Sequence, residues 1–311
     1  MLEIWLKKLS QLRVDRASKN PAPHKPLLIL AILDQIENKE ITSPLVCLTA
    51  ELAYRFLGYW EIVAARGRSF GRVELPFYFL QSDGFLHHVT HPGLELALAS
   101  IRPTSIDLLN RVIAYSELPK EFFELMQHPN YRNEARLKLV NGNWFSQNEK
   151  QNLITLLGIN DLIEPLSVDL KSQNALGEMD KGRDVRFRFQ IVPLYRYTCV
   201  LCGIKQLLPS GITLVEAAHI HPLAHSWNND VTNGMALCRN HHWSFDQGLW
   251  TVGQDYRVIV AQGFFIDEAP RQLRLADLNN RQIDFSWLAM DKRPAINQLE
   301  WHKNNCFIAR Q

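Results

Sequence analysis

Leu237–Asp246 reads LCRNHHWSFD, and the placing of its adjacent histidines decides how the C-terminal half folds. Neighbouring side chains on an α-helix diverge by about 100°, so His241 and His242 cannot comfortably serve one site. His242 and Asp246, four apart, share a face. Cys238 and His241 are separated by two residues, and upstream Cys199 and Cys202 repeat that gap ahead of Gly203. Paired short spacings are the usual way of building a tetrahedral zinc site, each pair forming one knuckle that closes on the ion. Cys199, Cys202, Cys238 and His241 are therefore read as ligands of a structural Zn²⁺. A redox dithiol at Cys199 and Cys202 has no thioredoxin-like context and leaves Cys238 unexplained. Four protein ligands close a site, so any chemistry belongs beside the zinc, on the side that His242 faces.

Upstream of this stretch, VEAAHI (Val215–Ile220) suits a strand ending at His219, and TNGMAL suits a loop entering a second strand. Strand, strand and helix, with the zinc knuckles, AHIHP, NG and CRNHH, resemble the HNH or ββα-metal nucleases over roughly 185–249. The resemblance implies three roles. His219 would be the general base that takes a proton from the attacking water. Asn233 would hold the loop and orient His219. His242 would bind a single catalytic divalent metal, Mg²⁺ or Mn²⁺. An imidazole suits the base because its ordinary pKa lies near neutrality. Many family members carry Asp or His directly before the base, where this chain has Ala218. Asp246 is the first candidate to supply that metal ligand, with Glu216 and His221 behind it.

A net charge of +2 excludes a uniformly basic coat but permits local basic patches. A hydrophobic content of 46% and a charged content of 21% are globular values. No apolar run approaches the roughly 18–20 residues of a bilayer span, and the amphipathic start MLEIWLKKLSQLRVD has no signal-peptide core, so a cytoplasmic protein is expected. Cys47 and Cys306 are solitary, which rules out a disulfide framework.

The first half alternates helical stretches with short β-favouring ones. PHKPLLILAIL reads as a central helix beginning near Pro26. RGRSFGRVELPFYFLQSDGFLHHV reads as a loop leading into a hairpin at Asp83-Gly84. SIDLLNRVIAYSEL reads as helix. PHKPLLILAIL and ELPFYFLQSDGFL together resemble, over roughly 5–157, the sulfur-binding domain that precedes HNH domains in McrA-like, modification-dependent restriction endonucleases. That domain recognises phosphorothioate DNA, in which sulfur replaces a non-bridging oxygen. Sulfur is softer and less hydrated than oxygen, so an apolar wall beside cations discriminates for it. Leu75, Pro76 and Phe79 are candidates for the wall, and His24, Lys25, Arg68, Arg72 and Arg102 for the rim. The family pattern often has Tyr where this chain has Leu75.

The expected architecture is α+β. A mainly helical recognition domain with a small sheet spans 1–162, a polar linker 163–182, and a zinc-stapled ββα domain with a C-terminal extension 183–311. The basic run Lys181, Arg183, Arg186, Arg188 and Arg196 is either a solvated helix face or a phosphate-contacting one. Trp301 and His302 are expected to pack back on the nuclease core. The expected partner is double-stranded DNA bearing phosphorothioate, with no membrane. A homodimer, or two molecules meeting on DNA, would supply a centre for each strand. Two alternatives stand. One is an HNH nuclease directed to a methylated base held among Phe77, Tyr78 and Phe79. The other is a non-catalytic zinc module, which Ala218 keeps open.

Overall fold

The computed structural model describes residues 1–15, 21–64, 71–159, 174–270 and 273–309, and over 174–180 the helix backbone alone. They form two compact units, Met1–Arg186 with Leu208–Ile212, and Phe187–Leu207 with Thr213–Gln311.

The first unit is built around α2 (His24–Glu37), buried from Pro26 to Ile36, as its nearly all-round apolar surface predicts. Ahead of it runs α1 (Leu2–Ser10), whose Trp5 meets Phe85 and Phe122 at ring distances of 5.8 and 5.2 Å. A short strand β1 (Leu45–Val46) leads into α3 (Ala50–Val63), capped by the Thr49 hydroxyl on the Leu52 N–H. Next come α4 (Glu74–Phe79), β2 (His87–Thr90), α5 (Glu95–Ser100), α6 (Ile106–Val112) and β3 (Ile113–Glu117). Helices α7 (Lys120–Met126), α8 (Pro129–Val140) and α9 (Gln147–Leu157) follow, α9 opened by a reciprocal cap between Ser146 and Glu149. The strands form one antiparallel sheet in the order β1-β3-β2.

Arg136 on α8 reaches Asp34 (2.7 Å) and Glu37 (2.6 Å) on α2, and the Tyr59 hydroxyl of α3 donates to Asp34 at 2.6 Å. This network pins three helices across the core. Burial works against the Glu37 charge, but Arg136 and Arg132 outweigh it and hold the carboxyl below its usual range.

Three expectations change here. The stretch after Arg72 is helical, with a 3₁₀ turn at Leu80–Asp83 and a left-handed Gly84, and it forms no hairpin. Pro76 is the third residue of α4, where a first-turn N–H has no helical partner to lose. β2 pairs with β3 instead. SIDLLNRVIAYSEL divides into α6 and β3, because its second half pairs with both neighbouring strands. Of the expected linker, 163–173 lies outside the described residues. Asn174–Gly182 opens α10 (Asn174–Leu194), where Ala175, Leu176, Glu178 and Met179 are good helix formers. The division between the units falls inside α10, after Arg186.

In the second unit β4 (Val215–His219) and β5 (Gly234–Cys238) run antiparallel, with Val215 opposite Cys238 and His219 opposite Gly234. Between them is α11 (Leu223–Ser226), and behind them α12 (Arg239–Asp246), completing ββα. The hairpin β6 (Trp250–Val252) and β7 (Val258–Val260) follows, and α13 (Ile296–Asn305) comes last. Phe187, Ile191 and Tyr195 of the α10 region share one core with Met235, Phe245 and Trp250. Gly234 lets α10 close: a Cβ there would lie 2.5 Å from Ile191 Cδ1 and 2.7 Å from Phe187 Cζ. The expected return of the C-terminal segment is found. His302 on α13 stacks on Phe245 at 3.7 Å and bonds Thr251 at 2.9 Å through Nδ1.

Candidate functional site

Two clusters lie on either side of the start of α12. In the first, the ligand atoms of Cys199, Cys202, Cys238 and His241 are all within 4.8 Å of one another. His241 Nδ1 is 3.4 Å from Cys199 Sγ and 3.3 Å from Cys238 Sγ, and the Cys202 and Cys238 sulfurs are 4.0 Å apart. Zinc–ligand bonds of about 2.0–2.3 Å at tetrahedral angles call for separations of about 3.5 Å (S to N) and 3.8 Å (S to S), so the donor set fits that ion. The first knuckle is turned by Gly203, whose φ of +77° only glycine adopts freely. Cys238 is the N-cap residue of α12, with its side chain unused in capping, and His241 follows in the first turn. Cys199 and Cys202 hold the Cys238 thiol far below its usual range, while Cys202 and Cys238 push Cys199 up. Burial presses the His241 imidazole down, yet Cys202 and Cys238 outweigh it and raise it to about 9. A Cys238 thiol held low among two further sulfurs suits a cation.

The second cluster opens from the other side of the helix. His242 lies between two carboxylates: Nδ1 is 3.0 Å from Glu216 Oε2 on β4, and Nε2 is 3.5 Å from Asp246 Oδ2. Glu216 is held in turn by Arg239 Nε at 3.0 Å. The His242 side chain is 23% exposed and Asp246 52%, so the cluster opens to solvent on the Asp246 side. Burial raises the Asp246 carboxyl above its ordinary range, the charges of His242 and His219 pull it back, and Glu216 pushes it further up. Ala218 is fully buried opposite Met235, so the carboxylates come from Glu216 and Asp246 instead. His242 Nε2 and Asp246 are the side chains that could hold a divalent ion here, an imidazole beside a hard oxygen, with Glu216 behind the ring.

His219 stands at the end of β4, as expected. Its ring stacks on Phe187 (3.8 Å, 6° between planes), and its Nε2 lies 2.8 Å from Asn229 Oδ1. Asn233 does not bond the His219 side chain. Fully buried, it accepts the His221 N–H and donates Nδ2 to the carbonyls of His221 and Asn228, each at 2.9 Å. It ties together the loop that carries Asn229. His221 is turned away, stacked on Trp301 at 3.5 Å and bonded to Gln298. Asn229 and Phe187 carried no spacing signal, because each reaches His219 from a separate segment.

In the first unit, packing of α2 on α4 brings the two short motifs together. Lys25 Nζ meets Asp83 at 2.5 Å with both groups largely buried, so it is a tie between the motifs and not an open rim cation. Arg72 bonds Glu74 and the Thr104 carbonyl, each at 2.8 Å. His24 lies against Trp60 at 4.6 Å. Pro76 is buried, Leu75 half-buried, and Phe79 46% exposed; Arg102 is exposed just after α5. Arg68 lies outside the described residues. Phe77 and Tyr78 both stack on His88, and the Tyr78 hydroxyl donates to the Leu98 carbonyl, so they form no open aromatic cage. Arg186 of the basic run is turned to the Thr155 carbonyl at 3.4 Å. Among the described residues no helix is long and apolar enough to cross a membrane.

The family of ScoMcrA-like DNA sulfur-binding domains matches residues 3–162. The chain belongs to that sulfur-binding family. Behind its sulfur-binding domain it carries an HNH endonuclease domain, whose family matches residues 199–253. Among solved structures it is similar to one described as "Modification dependent TagI restriction endonuclease", at 18% identity and a TM-score of 0.29. The match covers 38% of this chain and 36% of that one, so the chain spans about a third of that protein's length. No curated protein matches the chain.

Proposed function

We propose that this protein is a modification-dependent restriction endonuclease of the cytoplasm, which binds phosphorothioate DNA through residues 1–162 and hydrolyses phosphodiesters through 183–311. The observation that carries the reading is His242 between Glu216 and Asp246, next in the chain to His241 of a separate Cys₃His cluster, with His219 ending the same strand that carries Glu216.

Cys199, Cys202, Cys238 and His241 hold Zn²⁺ as a structural staple. His242 Nε2 and Asp246 hold Mg²⁺ or Mn²⁺. Glu216 accepts the His242 Nδ1–H and so fixes its tautomer, the usual task of a carboxylate behind a ligating imidazole. When bound, the divalent ion supplies charge stabilisation at the scissile phosphate. The chain's residues do the rest. His219 removes a proton from water as the water oxygen bonds to phosphorus. The ester bond then breaks, and the leaving oxygen takes a proton from solvent. Asn233 holds the loop beside the base.

In the first unit Phe79 and the half-buried Leu75, backed by the buried Pro76, offer apolar surface to a backbone sulfur, and His24, Arg68, Arg72 and Arg102 balance the phosphate charge. One ββα centre attacks one strand, so two copies act together, as a homodimer or on DNA. Packing of Phe77 and Tyr78 on His88 disfavours a methylated-base reader, and the carboxylates around His242 disfavour a non-catalytic zinc module.

The test is cleavage of one duplex sequence in three forms, plain, backbone-sulfur and base-methylated, with Mg²⁺ or Mn²⁺. Cutting confined to the sulfur form supports the reading. Cutting confined to the methylated form, or of none, overturns it.

A further inference from the structure

The ring of His219 is fixed by two different constraints. Stacking on the fully buried Phe187 sets its plane. Turning the ring over by half a revolution keeps that stack and swaps its edges, so stacking cannot choose which nitrogen faces the site. The bond to Asn229 makes the choice. An amide oxygen only accepts, so at 2.8 Å from Asn229 Oδ1 the Nε2 atom carries the proton, and a neutral ring then has its lone pair on Nδ1.

Asn229 is itself held. The preceding carbonyl, of Asn228, accepts Asn233 Nδ2 at 2.9 Å, and Asn228 Oδ1 accepts the Asp230 N–H at 2.8 Å. The buried Asn233 thus acts on the base at second hand, through the loop that presents Asn229.

We infer that Asn229 is a positioning residue of the nuclease centre, its Oδ1 selecting the Nε2–H form of His219 and so assigning Nδ1 as the atom that takes the water proton. The inference rests on the nuclease reading above. In the step, Nδ1 gains the proton, the water oxygen bonds to phosphorus, and the ester oxygen leaves with the bonding pair and is protonated by solvent. The imidazolium then keeps its Nε2–H on Asn229, where a charge-assisted bond is stronger than the neutral one.

The experiment uses the full chain and its Asn229→Ala and Asn229→Asp variants on plain and backbone-sulfur duplexes with Mn²⁺, across pH 5–9. Imidazole ¹⁵N spectra are recorded on the same proteins without added Mn²⁺. Wild type is expected as the Nε2–H tautomer, and Asn229→Ala as a mixture that cuts about 10- to 100-fold more slowly with unchanged DNA affinity. Asn229→Asp keeps the acceptor and adds a charge, so it should retain cutting with its acid limb moved up by about 1–3 pH units. A purely structural loop residue would not move that limb. A dominant Nδ1–H tautomer in wild type, or variants with wild-type spectra and pH profiles, overturns the assignment alone. Failure of wild type to cut either duplex, with the expected tautomer present, overturns the nuclease reading and with it the role given to Asn229.

Discussion

At the scale of single residues, the different work proposed for His219 and His242 follows from their different partners. His219 meets an aromatic face and an amide; His242 meets two carboxylates. His219→Ala removes the base and should slow cleavage by roughly 10²–10⁴-fold, read in a nicking assay, while gel shifts show DNA binding intact. Glu216→Gln keeps the shape but weakens the acceptor behind His242. It should cost about 10- to 100-fold in metal affinity or activity, visible as a higher Mn²⁺ concentration for half-maximal cleavage. Cys202 is exposed, so Cys202→Ala opens no core cavity; its effect must come through the ion. It should lose zinc by elemental analysis and melt at lower temperature, whereas the exposed, solitary Cys47→Ala should do neither. The Cys₃His cluster was readable in the chain because each pair is a local turn whose spacing is its geometry. The two carboxylates were not equally so. Asp246 follows from helical spacing, while Glu216 reaches His242 only by the pairing of β4 with β5 beside α12.

At the scale of elements, the ββα unit depends on α10 lying close under β5. Gly234→Ala would force a methyl into Ile191 and Phe187, and should cost about 1–3 kcal/mol in urea melts. Because Phe187 also carries the His219 ring, cleavage should fall with stability. α13 contributes a pH dependence. Burial holds His302 down at about 4, against an ordinary value near 6.5. Folding therefore prefers the neutral ring. Its stability is fully present above about pH 6.5, drains as pH falls toward 4, and levels off below that, up to ~3 kcal/mol. Urea melts at pH 7 and pH 4.5 should show the loss, and His302→Gln should flatten it. The strands β4 and β5 and the helix α12 were legible from alternation and spacing. α4 was not, because a proline among aromatic residues suits a hairpin edge as well as a first helical turn.

At the scale of the whole molecule, a sulfur-binding domain and an HNH domain share one chain, as separate compact units divided within α10. A mark reader and a cutter with their own cores predict separable defects. Pro76→Gly or Phe79→Ala should weaken discrimination between sulfur and plain duplexes in binding assays without changing zinc content. Brief chelation should stop cleavage reversibly, because the His242 cluster is open, while zinc stays in its closed cluster.

The chain by itself determined the paired Cys and His spacings, the order strand, strand, helix, and the divergence of His241 from His242. Those depend on spacings of two to four residues, which covalent geometry converts directly into direction. Only the tertiary structure decided that Asn229 and Phe187 hold the His219 ring, that Glu216 backs His242, and that Lys25 is tied to Asp83. Those contacts join segments distant in sequence, and they arise where buried faces pack, a matter of shape that no short spacing encodes.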